Sequence, residues 1–153
     1  MINLFTTIDR IELNNIFFQT PIKNTVIDNS LFIRIIYSTQ NLVLNGIFMI
    51  IPLNICFVDK IYNKYKCSYN IGDNQKIITD IIKLEQSILQ KLNIGNKIMR
   101  FKISDQLKQG NIKLFSSEPL KKDTDIVLKV SGVWENDMEY GLTYKFSSVT
   151  HQF

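Results

Sequence analysis

Alanine is missing from the chain altogether, and histidine and tryptophan occur once each. Among the 153 residues are 25 Ile, 15 Asn and 15 Lys, but only 3 Arg. This is the imprint of AT-rich coding, so a single Ile or Lys carries less information than usual. With 45% hydrophobic and 21% charged residues, the chain groups neither with disordered nor with membrane-saturated sequences. Its length suits one domain with a sizeable core, spanning residues 1–153.

Each scarcity excludes something. An uninterrupted apolar run of about 18 residues, the length of a membrane span, does not occur. The nearest, residues 42–58, is broken by Asn45, Gly46, Pro52 and Asn54 and reads as two strands meeting at Pro52. The opening Met1-Ile2-Asn3-Leu4-Phe5 lacks the basic region and cleavage site of a secretory signal. Cys56 and Cys67 are the only cysteines and form no C-x-x-C pair, so they read as reduced thiols of a cytoplasmic or nuclear protein. The single histidine, His151, is two residues from the end. It leaves no His–Cys cluster for a metal and no rigidly held nucleophile–base triad. Phosphate-binding glycine motifs are absent. Asp123 and Asp125, with Glu135, Asp137 and Glu139, gather at turns and read as solvated edges rather than catalytic acids. The chain therefore reads as a non-enzyme without metal or cofactor.

What is there is positive charge in one place. The formal net charge is +4, yet residues 60–113 alone hold eleven basic and four acidic residues, a local +7. Such clustering is the footprint of a polyanion partner; the plainer account is a solvated lysine-rich surface. Within it runs Lys60-Ile61-Tyr62-Asn63-Lys64-Tyr65-Lys66-Cys67-Ser68-Tyr69, three lysines interleaved with three tyrosines. Single-stranded nucleic acid needs both parts. Cations follow the phosphates, and exposed rings stack on bases for ~1–3 kcal/mol each. The plainer account is an edge strand with alternate tyrosines buried and lysines discouraging aggregation.

Periodicity supplies the elements. Residues 31–38, 42–51 and 55–62 read as strands, with turn residues at Asn45-Gly46 and Pro52-Leu53-Asn54 and another strand or two in 6–18. The 72–74 stretch offers a helix cap, and Ile77, Ile81, Leu84 and Ile88 place a helix over 75–92, ended by Gly95. Strand character returns over 97–104, a single helical turn is expected in 105–110, and 111–115 reads as extended. Residues 126–134 and 139–147 form an antiparallel hairpin about the turn 135–138. In it Trp134 marks the end of a barrel, Tyr140, Leu142, Tyr144 and Phe146 turn inward, and Lys129 and Lys145 turn outward. Strands, one helix, then strands predict a mainly β, α+β fold. The finer expectation is an OB-like antiparallel Greek-key barrel with the helix between the third and fourth core strands. A split sheet covered by one helix is the rival architecture.

The terminal hairpin, Lys129-Val130-Ser131-Gly132-Val133-Trp134-Glu135 with Gly141-Leu142-Thr143-Tyr144-Lys145-Phe146, resembles the last segment of small OB-type single-stranded-DNA-binding proteins of large eukaryotic DNA viruses and cytoplasmic linear DNA elements. The segments 84–89 and 106–113 share the likeness, which covers about the second half of the chain. It implies a protein that coats single strands during replication without reading sequence, at a cytoplasmic or nuclear site, as a monomer or homo-oligomer working with replication proteins. One departure stands out: 147–153 carries no acidic run of the kind many replicative single-strand binders use to recruit partners.

The expected contacts are Arg34, Lys60, Tyr62, Lys64, Tyr65, Lys66, Tyr69, Arg100, Lys102, Lys129, Trp134 and Lys145. Tyr62, Tyr65 and Tyr69 are the first choice as platforms, and the side bearing Arg34, Arg100 and Lys102 is the second. Two other readings stay open. One is a virion or assembly protein with an oligomeric sheet interface. The other is a duplex-binding protein that recognises terminal repeats.

Overall fold

The computed structural model describes residues 5–116 and 119–149. His151, the first four residues and the last part of the 147–153 segment lie outside the described residues. In chain order the elements are β1 (Thr6–Thr7), β2 (Ile16–Phe18), β3 (Ile22–Lys23), β4 (Leu31–Ser38), β5 (Val43–Asn45), β6 (Ile47–Ile51), β7 (Ile55–Ile61), β8 (Lys64–Tyr69), α1 (Gln75–Leu92), β9 (Ile98–Arg100), α2 (Lys102–Leu107), β10 (Asn111–Leu114), β11 (Ile126–Glu135) and β12 (Glu139–Ser148). The class is α+β, mainly strand with one long helix. Among the described residues no helix is long and apolar enough to cross a membrane.

The hairpin β11–β12 is the axis of the large sheet. Along its other edge β11 pairs with two strands in succession, β6 through residues 126–130 and β4 through residues 132–135. The exchange happens at a bulge between Val130 and Gly132 and at Gly46, where φ is +108°. A Cβ on Gly46 would lie 2.9 Å from the Val130 carbonyl oxygen, so the chain turns there with no room for a side chain. The stretch 42–51 accordingly divides at the turn residues Asn45-Gly46 into β5 and β6. β4 leaves β11 at this junction and pairs instead with β2 and β5.

β12 pairs in parallel with β9. A second sheet, β10–β8–β7, meets the first where Phe115 bridges to Ser147 of β12. Among the described residues no pairing joins the two edges of the large sheet, so the closed barrel is not formed. The core lies between one face of this sheet, α1, α2 and the small sheet. Ile33, Ile35, Met49, Leu128, Val130, Val133, Leu142 and Phe146 meet Ile81, Ile88, Leu89, Ile103, Cys67 and Ile112 there.

The helix over 75–92 forms as its apolar period predicts. Asn74 does not cap the helix with its side chain, which instead ties the preceding turn to the connection between β6 and β7. Its Oδ1 accepts the Asn54 N–H at 2.7 Å, and its Nδ2 donates to the Asn70 carbonyl at 2.8 Å. At the other end the left-handed residue is Asn93, φ +47°, rather than anything at Gly95.

The strand expected over 97–104 is also corrected, since only residues 98–100 are strand and α2 begins at Lys102. The cause is Glu85. It interrupts the apolar stripe of α1, is 1% exposed, and turns its carboxylate onto the start of α2. There the Ile103 and Ser104 N–H groups and the Ser104 hydroxyl donate to it at 2.9, 2.9 and 2.6 Å. The free donors of a helix N-terminus are thus satisfied from a different helix.

Candidate nucleic-acid interface

Strand alternation divides the large sheet into a face that packs on α1 and a face turned away from it. Register assigns the second face. Lys129 stands directly opposite Phe48 on one side and Lys145 on the other. Gly132 stands between Arg34 and Thr143, and Trp134 between Phe32 and Gly141, with Arg100 beyond on β9. The expectation that Lys129 and Lys145 turn away from Tyr140, Leu142 and Phe146 agrees with this arrangement, and those three residues are buried on the other side.

Cations lie over rings across this face. Arg34 is 5.6 Å from the Phe32 centroid, Lys129 is 5.2 Å from Phe48, and Lys102 is 4.5 Å from Trp134. Phe115 carries two, Lys64 at 5.0 Å from β8 and Lys145 at 5.8 Å from β12. Ring quadrupoles attract such cations, but they do not cancel the charge. Among the described residues none of Arg34, Lys64, Lys102, Lys129 or Lys145 has a carboxylate within 4.0 Å. Arg100 does, because its guanidinium is ion-paired with Glu139. The arrangement offers five unneutralised cations above Phe32, Phe48, Phe115 and Trp134.

Lys129 opposite Lys145 is unfavourable for folding, since like charges directly opposite on paired strands repel. Among the described residues no carboxylate forms an ion pair with either. A phosphodiester backbone would relieve them.

The expected residues divide. Arg34, Lys64, Lys102, Lys129 and Lys145 are brought together, and Arg100 sits at the margin with its charge met. Trp134 is on the same face yet only 5% exposed, packed beneath Lys102 and across Gly141. It is a buried support on the outer face, neither at the end of a closed barrel nor an open platform.

The tyrosine triplet is corrected. Tyr65 and Tyr69 are 8% and 6% exposed, on the buried side of β8 with Cys67, and the Tyr69 hydroxyl donates to the Leu107 carbonyl at 2.7 Å. Their rings face the core and have no free surface for a base. Lys60 lies opposite Tyr65, on the other side of the small sheet from Lys64 and Lys66. Tyr62 alone is open, 93% exposed at the β7–β8 turn with φ +54°.

Phe32, Phe48 and Phe115 were missed by reasoning from local clusters. Phe32 and Phe48 occupy outward alternate positions of β4 and β6, whereas Phe115 follows β10 and bridges to β12; the cations over Phe48 and Phe115 come from other strands. No protein-family model, no curated protein and no solved structure matches the chain.

Proposed function

We propose that the outer face of the large sheet binds single-stranded DNA without sequence preference. The observation that carries this reading is the pair Lys129–Lys145, held opposite one another among Phe48, Phe115 and three further cations, none of them ion-paired among the described residues. In the free protein the cations rest on the rings. A phosphate draws an ammonium away, and the uncovered ring then accepts a base by stacking. Neither event reads a base edge, so the contact is indifferent to sequence.

With this goes the finer fold reading, an OB-like arrangement left open at its edge, and a role in coating single strands at a viral or linear-element replication site. No step of it asks for catalysis or a cofactor. The assembly reading has one observation in its favour, the exposed edge strand β7 with Phe57 and Ile61 uncovered.

The test is binding of poly(dT) and of a duplex of equal length at two salt concentrations. If all five cations engage phosphates, log affinity for poly(dT) should fall against log salt with a slope of about −3.5. Tighter binding to the duplex would favour the terminal-repeat reading. A flat salt response would end the electrostatic account, and self-association without binding would favour assembly.

A further inference from the structure

The small sheet repeats the feature that marks the large one. Lys66 on β8 stands directly opposite Lys113 on β10, a second pair of like charges on paired strands. Both lie on the face turned away from the buried Cys67, Tyr65, Ile112 and Leu114. Asp59 is opposite Lys66 on its other side, yet among the described residues it forms no ion pair with it.

This face is joined to the outer face of the large sheet at Phe115. One lysine reaches the Phe115 ring from each sheet, Lys64 from β8 and Lys145 from β12. Lys113 lines the same cleft beside them. Beyond it a second hollow is lined by Lys64, Lys66, Lys113 and Tyr62.

We infer that the binding track crosses Phe115 and continues over the small sheet, where Lys66 and Lys113 hold the phosphates of a second stretch of the same single strand. The inference rests on the reading of the large sheet as a single-strand surface. From β6 across β11 and β12 to Phe115 is three strand spacings, about 14 Å. A short oligonucleotide fills that distance, and a longer one must go on. A flexible single strand follows a track that passes from one sheet to another, whereas a duplex, with a persistence length of about 50 nm, does not.

The experiment compares a dT tetramer with a dT hexadecamer, about the ends of the site-size range for one OB domain. The proteins are the full chain, a Lys66→Gln/Lys113→Gln double variant and a Lys129→Gln/Lys145→Gln double variant, each checked by thermal melt. Both pairs are surface lysines relieved of repulsion, so folding is expected to hold. For the Lys66/Lys113 variant the hexadecamer's salt slope should become shallower by about 1.4, while the tetramer's stays as in the parent. An unchanged hexadecamer slope, with the Lys129/Lys145 variant weakened, would overturn this inference and leave the large-sheet reading standing. Equal losses on both oligonucleotides would also overturn it, because Lys66 and Lys113 would then belong to the first stretch. If neither oligonucleotide binds the parent, both readings fall.

Discussion

At the scale of single residues, the two thiols and the lone tryptophan report on packing directly. Cys56 is exposed on the edge strand β7, whereas Cys67 is buried beneath the small sheet and burial pushes its thiol up to about 11. The thiolate is the reactive form, and Cys67 is deprived both of it and of access. Iodoacetamide at pH 8 should therefore label one cysteine in the folded protein and two in urea, read by mass. Two rapid labels without denaturant would contradict the burial of Cys67.

Gly141 is the second such position. A Cβ there would stand 2.9 Å from Trp134 Cζ2 and 2.9 Å from the Arg100 carbonyl oxygen. Gly141→Ala should lift the indole, red-shift its emission and cost about 1–3 kcal/mol in urea unfolding, the usual range for overpacking. An unshifted spectrum with unchanged stability would show that the indole does not lie across this glycine.

Among the elements, α2 depends most on a distant residue. Its six residues are too few to hold a helix unaided. The Glu85 carboxylate supplies its N-terminal acceptors and so places Lys102 over Trp134. Burial pushes the Glu85 carboxyl above its ordinary range, the three donors pull it back, and burial prevails, with the Asp105 charge adding to the rise. The sign follows. A folded pKa above the unfolded one stabilises the fold while the group is protonated, below the unfolded value near 4.5, and that stability is lost as pH rises through the raised pKa. Glu85→Gln resembles the protonated form and does not titrate. Between pH 4 and pH 7 the parent should therefore lose stability relative to Glu85→Gln in urea unfolding. Glu85→Ala should be less stable than either, by about 1–3 kcal/mol for each buried donor left unpaired. A parent that gains on Glu85→Gln as pH rises would mean that the hydrogen bonds outweigh burial.

For the molecule as a whole, the proposed function sets binding against stability. The sheet bears Lys129 opposite Lys145, and among the described residues neither is ion-paired with an acid. Replacing both by Gln should stabilise the free protein by up to ~1 kcal/mol while weakening single-strand binding and flattening its salt slope. A stability survey of the two double lysine variants against the parent, beside the binding data, checks this. Loss of stability in the Lys129/Lys145 variant would mean that the lysine stems, packed on Phe48 and Phe115, contribute more than their charges cost.

The sequence by itself determined what rests on local period. The helix over 75–92 follows from apolar residues recurring at helical spacing, and the strand 31–38 and the final hairpin follow from alternation around clear turns. It also determined that each strand has two faces, and that charge concentrates in the middle of the chain. Which face is buried was decided by tertiary structure. Tyr65 and Tyr69 alternate with Lys64 and Lys66 just as platforms among cations would, and only the packing of β8 on Ile112 and Leu107 turns those rings inward.

The same holds for the candidate site. Lys129 and Lys145 were legible as outward residues because one hairpin relates them. Phe48, Phe115 and Lys113 were not, because their neighbours come from strands distant in the sequence, through registers that no local pattern encodes. Glu85 is the sharpest case. Its charge suits a solvated helix face, yet its position, four residues from Ile81 and from Leu89, places it on the buried stripe. Only the arrival of α2, whose Ile103 and Ser104 supply three donors, makes a carboxylate belong there.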